Sequence, residues 1–173
     1  MKKIMSSLFC ISIIILVMFI GCSKDNSGNP VDPGGGGTVS NEAKLTLNGG
    51  SFVNQAVTLS NGTSTYSTVD TATAILFSGK LNSDSLYFFV VFQGKQTGVI
   101  NWNDNNGVLF YKKSSSGLNM YIGSSQGSTT ISSYGSVGGK VDGSVTGKMI
   151  DATTQTEVNI SGNFSSTRTP DIN

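Results

Sequence analysis

From residue 41 onward, apolar side chains recur at every second position, the spacing of a strand with one buried face. "KLTLNG" sets Leu45 and Leu47 on one side and closes on Asn48-Gly49-Gly50. "QAVTLSNG" repeats the pattern with Val57 and Leu59 and ends at Asn61-Gly62. Asn-Gly pairs suit turns because both residues tolerate positive φ. "ATAILFSGKL" is a third run. "SLYFFVVFQG", Ser85 to Gly94, is apolar on both parities, the pattern of a central strand covered on two sides. "TGVINW" and "VLFYKK" flank "NDNNG", which predicts a hairpin around Asn106-Gly107. "LNMYIG" sets Leu118, Met120 and Ile122 on one face and Asn119 and Tyr121 on the other, and "STTISSYGS" is a weaker strand. The last pair alternates most cleanly: Val141, Val145 and Met149 against Asp142, Ser144, Thr146 and Lys148, then Val158, Ile160 and Phe164 against Asn159, Ser161, Asn163 and Ser165.

No stretch of this region carries apolar residues at helical spacing over a useful length. The pattern predicts an all-β domain over residues 42–169 with a short tail at 170–173. Its architecture is expected to be a single antiparallel β-sandwich, or a flattened barrel, of about eight to ten strands. A chain of this length supports one core without staples. Gly143, Gly147 and Gly162 fall on the inward parity and are read as bulges or close sheet contacts rather than ligand sites.

Composition narrows the function. Only 12% of residues are charged, about half the usual globular share, and the domain takes its polarity from Ser, Thr, Asn and Gly. Without Lys2 and Lys3, nine of the eleven basic residues remain, against ten acidic ones. No basic stripe exists to neutralise phosphates, so nucleic acid is not an expected partner. Histidine is absent and the cysteines are Cys10 and Cys22, both ahead of the domain. That removes the commonest general base, the commonest zinc ligand, the disulfide and the thiolate nucleophile from the domain.

The first forty residues follow another pattern. "MKK" is followed by Leu8 to Ile20, apolar apart from Ser12, which matches a signal-peptide core and is short for a membrane span of ~20 residues. The run ends at Phe19-Ile20-Gly21-Cys22, and "SKDNSGNPVDPGGGGTVS" follows. Residues 22–41 thus read as the cysteine with a flexible linker, whose roughly 18 residues from Ser23 to Ser40 reach about 25 Å.

A small residue directly before a cysteine, at the end of an apolar core, resembles the lipobox of bacterial lipoproteins. Phe19 stands where that family prefers Leu. The resemblance implies cleavage after Gly21, diacylglycerol on the Cys22 sulfur and acylation of the new amino terminus. Ser23 is a residue compatible, in that family, with sorting to the outer membrane, and Lys24-Asp25 resembles short charged surface-export signals. "GKVDGSVTGKM" followed by "VNISGNFSSTR" resembles the terminal strand pair of small uncharacterised β-sandwich lipoproteins of Gram-negative bacteria, a likeness that carries no active-site motif.

Candidate chemistry is sparse. The domain carboxylates are Glu42, Asp70, Asp84, Asp104, Asp142, Asp151 and Glu157, mostly at predicted turns, where Asp is an ordinary turn former. Nothing selects a glycosidase pair among them, so no enzyme is expected. "NWNDNNG" fails the register of a calcium loop, and neither metal nor cofactor is expected. Trp102, Tyr111 and Tyr121 are the candidates for stacking on a sugar, although Trp102 shares its parity with Ile100 and fits a core position too. Asp70-Thr71-Ala72 and Asp84-Ser85-Leu86 resemble an O-glycosylation acceptor of some bacterial export routes, which makes Thr71 and Ser85 candidate acceptors. The expected function is that of a lipid-anchored envelope protein with a non-catalytic binding or interaction module for an unknown protein or glycan. The alternative is a carbohydrate-binding accessory at the cell surface.

Overall fold

The computed structural model describes residues 41–173; the leader, Cys22 and the linker lie outside them. The described residues form ten strands: β1 (Ala43–Gly49), β2 (Phe52–Ser67), β3 (Ala72–Leu81), β4 (Asp84–Gln93), β5 (Gly98–Asn101), β6 (Gly107–Ser114), β7 (Gly117–Gly123), β8 (Ser128–Tyr134), β9 (Lys140–Asp151) and β10 (Glu157–Arg168). Eight of them close into an antiparallel barrel, in the order β1-β2-β3-β4-β6-β7-β9-β10 and back to β1. The all-β expectation holds, and the sheet closes on itself rather than dividing into two. Closure leaves few open edges. Beyond the start of β1, Thr167 and Arg168 of β10 pair in parallel with Thr63 and Ser64 of β2.

β8 and β5 are the two extra strands. The first half of β9 pairs with β8, and only its last three residues reach β7. β5 pairs with β8 alone. The hairpin expected around Asn106-Gly107 is therefore corrected: β5 and β6 are joined by that loop without pairing. The cause is local. Asn103 Oδ1 accepts the Asn105 and Asn106 N–H groups at 2.8 and 3.0 Å, and Trp102 N–H donates to Gly127 O at 2.9 Å. Together they swing the chain from one partner to another.

Asn61-Gly62 is a second correction. It is no turn but a bulge inside β2, where the register with β3 shifts between Ser60 and Thr63. Asn61 takes φ of 56°, and a Cβ on Gly62 would fall 2.3 Å from the Phe77 ring. The tolerance of positive φ that makes Asn-Gly a turn former also allows a bulge.

Inward side chains fill the barrel. Phe77, Phe88, Phe92 and Phe110 are each 0% exposed. Phe77 lies 6.2 Å from Phe88 and 6.0 Å from Phe164, centroid to centroid. Beyond β10 the chain stays tied down. Ile172 N–H donates to Tyr66 O and Thr68 N–H to Ile172 O, both at 2.9 Å. Arg168 is buried, pairs with Asp171 and lies 5.3 Å from the Tyr134 ring centroid.

Candidate functional site

Alternation puts every second residue outside the barrel, and there the strands divide into two sectors. On β1, β10 and β9 the outward residues form registered rows. Asn48, Asn159 and Lys148 stand side by side, and one step along the strands so do Thr46, Ser161 and Thr146. With Asn54 and Gln126 they line an open groove of about 450 Å³. Its charge is balanced, because Lys148 Nζ lies 2.8 Å from Glu157 Oε2. What remains is a surface of hydroxyls and carboxamides, which can donate to and accept from a neutral polar ligand.

The second sector is apolar. One registered row runs Leu76, Phe89, Leu109, Ile122 and Ile150 across β3, β4, β6, β7 and β9. Beside it runs a row of Tyr87, Tyr111 and Met120, and next to that Lys80, Ser85, Lys113 and Leu118.

The three aromatics proposed for stacking do not form one platform. Trp102 is 2% exposed, and its indole N–H donates to Thr129 Oγ1 at 2.9 Å. Glycines make its slot: a Cβ on Gly127 would fall 2.1 Å, and one on Gly147 2.8 Å, from the indole ring. Tyr121 is 4% exposed inside the barrel, with its ring 5.5 Å from Phe52 and 6.1 Å from Phe110. Burial pushes its hydroxyl above the ordinary tyrosine value. Tyr111 alone stands outside, half-buried, with its ring edge-on to Phe89 at 5.8 Å, and burial raises its pKa as well. The stacking assignment is corrected on this ground: the faces of Trp102 and Tyr121 are turned into the protein. "LNMYIG" alternates as expected, but Tyr121 is the inward residue and the apolar stripe faces out.

Thr71 sits exposed at the turn between β2 and β3 with φ of 52°. Its hydroxyl lies 2.8 Å from Asp70 O and 3.3 Å from Gln93 Oε1. Ser85 is half-buried within β4, between Lys80 and Lys113. The carboxylates are dispersed in separate contacts. Glu42 pairs with Lys44 at 2.7 Å and Asp84 with Lys112 at 3.2 Å. Asp70 accepts the Ser67 hydroxyl at 2.9 Å and Asp142 the Ser133 hydroxyl at 2.6 Å. Among the described residues no cluster of three Asp, Glu, Cys or His side chains could hold a metal ion. Cys22 lies outside the described residues.

Two features escaped the sequence reading. The groove arises only when β1 and β9 flank β10, a pairing of strands roughly a hundred residues apart. The apolar sector did leave a signal, the two-sided apolar run of β4, which reads equally well as a strand buried between two layers. Compared with known proteins, the chain matches no protein-family model, no curated protein and no solved structure.

Proposed function

We propose that the protein is a lipid-anchored lipoprotein of the cell envelope, most consistent with the outer membrane, whose barrel acts as a non-catalytic interaction module. The observation that carries this reading is Gly21-Cys22 at the end of the Leu8–Ile20 apolar run. The glycine-rich linker supports it, since the barrel begins right after a segment long enough to hold it clear of lipid head groups. Two or three acyl chains on one residue make release from a bilayer slow. Intact mass of the membrane-extracted protein tests the reading. The expected species begins at Cys22 and carries diacylglycerol and an N-terminal acyl group, and Cys22→Ala releases the protein from the membrane fraction. A water-soluble mature chain with a bare thiol overturns it. The same spectrum reads a sugar on Thr71, the better exposed of the two acceptors.

The groove favours a second reading, a glycan-binding accessory that works by hydrogen bonds rather than by stacking. Asn48, Asn159, Thr146 and Ser161 present the donors and acceptors that sugar hydroxyls need. Titration with soluble polysaccharides, followed by calorimetry, is expected to give binding that Asn48→Ala with Asn159→Ala weakens roughly tenfold, the scale of one or two lost hydrogen bonds. Binding untouched by that pair removes the groove from the account.

A further inference from the structure

Among the described strands, β5 is the one with a single neighbour. Every other strand pairs on both sides, whereas β5 pairs with β8 alone. The register runs from Gly98 opposite Ile131 to Asn101 opposite Ser128, so one residue further on Trp102 stands opposite Gly127. Trp102 N–H donates to Gly127 O at 2.9 Å. Along an antiparallel strand, residues whose backbone groups bond to a given neighbour alternate with residues whose groups point away from it. Trp102, Ile100 and Gly98 therefore turn their N–H and C=O groups to β8, and Val99 and Asn101 turn theirs to the open side. Among the described residues no backbone bond from a turn or loop ends on Val99 or Asn101.

The edge is open as well as unpaired. Gly98, Val99 and Asn101 are exposed, Val99 at 69%, while Ile100 turns into the core and is 7% exposed. Natural edges are guarded by lysine, proline or a bulge. Gly98–Asn101 has no charge, no proline and no register shift against β8; its shortness is its only guard. These features suit one occupant in particular. An antiparallel copy of β5, with Ile100 opposite its counterpart, sets Val99 of each copy opposite Asn101 of the other. Each such pair exchanges two hydrogen bonds. Every outward N–H and C=O of both strands is then satisfied, and no like charges meet.

We propose that the protein pairs with a second copy of itself through β5, a two-fold edge-to-edge contact that runs one sheet through both barrels. An edge of 4 residues makes the contact weak and reversible. Pairing also has a consequence for the outer face. The outward row of Thr46, Ser161 and Thr146 continues through Ser128 to Asn101. The polar sectors of two copies are thus joined into one broader surface, across which an extended ligand meets both grooves. That consequence rests on the glycan reading; the pairing itself does not.

The test is sedimentation of the chain from residue 22 with Cys22→Ala, which carries neither acyl group nor thiol, up to millimolar concentration. A monomer–dimer equilibrium is expected. Amide hydrogen exchange over the same series is expected to slow at Val99 and Asn101 as the dimer forms. It should stay constant at Ile100, whose N–H bonds to β8 within one copy. Val99→Pro removes an outward donor and no bond to β8, so it is expected to abolish the dimer while circular dichroism stays native. Val99→Lys keeps the donor and guards the edge with charge, and is expected to weaken the dimer at least about tenfold at low salt. A chain that stays monomeric throughout overturns the proposal. So does a dimer that both variants leave intact, with unchanged exchange at Val99 and Asn101, since another surface then holds it. Slower exchange at those two amides in a monomer given a synthetic peptide of alternating Thr and Val makes the occupant a heterologous strand, and self-pairing falls. No polysaccharide enters any of these readings, so failure of pairing and failure of the groove are told apart.

Discussion

On β1, β10 and the first half of β9 the outward positions are Lys44, Thr46, Asn48, Asn159, Ser161, Asn163, Ser144 and Thr146. On β3, β4, β6 and β7 they include Leu76, Phe89, Val91, Leu109, Tyr111, Met120 and Ile122, with Lys80, Ser85 and Lys113 in a row at one end. The inward positions of the two sectors hardly differ: Leu45, Leu47, Ile160 and Val145 in one, and Ile75, Phe88, Phe110 and Tyr121 in the other, all in one core cluster. Barrel closure requires the inward set everywhere, because the interior must be filled. It requires nothing apolar outside. The polar sector shows what a solvated barrel exterior looks like, whereas in the second sector the outward Phe89 and Leu109 are 4% and 5% exposed, as little as many core residues.

The largest effect that separates the inward from the outward face comes from neighbouring residues on one strand. Phe88 faces the core and is 0% exposed, and Phe89 faces out and is 4% exposed. In the chain from residue 22, Phe88→Ala is expected to cost about 3–5 kcal/mol, the usual cost of emptying a core phenylalanine site. Phe89→Ala is expected to cost less, about 1.5–3 kcal/mol, the scale of burying one phenylalanine side chain outside the main core cluster. Urea unfolding followed by circular dichroism measures both. Equal costs would make Phe89 part of a second core and end the contrast between the sectors.

Much of this fold is legible in period-two patterning. β3 spans the same ten residues that the apolar run marks, and β9 and β10 alternate as read. What patterning cannot carry is partnership. "TGVINW" and "VLFYKK" look like the two arms of a hairpin, but their partners are set by β8 on one side and β4 on the other, which are tertiary choices. Asn61-Gly62 carries the chemistry of a turn and becomes a bulge, since positive φ serves both and only the neighbouring Phe77 ring decides. For the candidate sites, alternation within "LNMYIG" says that Tyr121 and the Leu118 stripe part company, but not which of them is inside. The core took the aromatic, and the apolar stripe went out. Trp102 was readable as a core residue from its parity with Ile100, and the glycines that seat it are far from it in sequence or across a turn. The groove depends on a β1–β10–β9 neighbourhood that no local window contains.

A smaller effect is expected at the seam where the sectors meet. β7 joins β9 through three residue pairs: Tyr121 with Asp151, Ile122 with Ile150 and Gly123 with Met149. Asp151 is 4% exposed, and its Oδ1 accepts the Thr153 and Thr154 N–H groups at 2.8 and 2.9 Å. Its carboxyl is held below the ordinary aspartate value. The Thr154 N–H is the largest cause, aided by the Thr153 N–H, the Thr154 hydroxyl and the Asn119 side chain, and burial opposes them. A depressed folded pKa means that the ionised form stabilises the fold above the unfolded value of about 3.9, and that this contribution is lost as pH falls through the folded value. Asp151→Asn keeps an acceptor of the same shape and removes the charge. It is expected to cost about 1 kcal/mol at pH 7, the difference between charge-assisted and neutral hydrogen bonds. The cost should shrink as the pH falls, until the two proteins converge once the pH is below the depressed folded value. Urea midpoints measured from pH 7 to pH 2 check the slope. Amide exchange at Tyr121–Gly123, faster in the variant while Leu45 and Leu47 stay protected, would place the loss at the seam. Curves that run parallel at every pH would assign Asp151 a role of shape alone and leave the junction of the two sectors to packing.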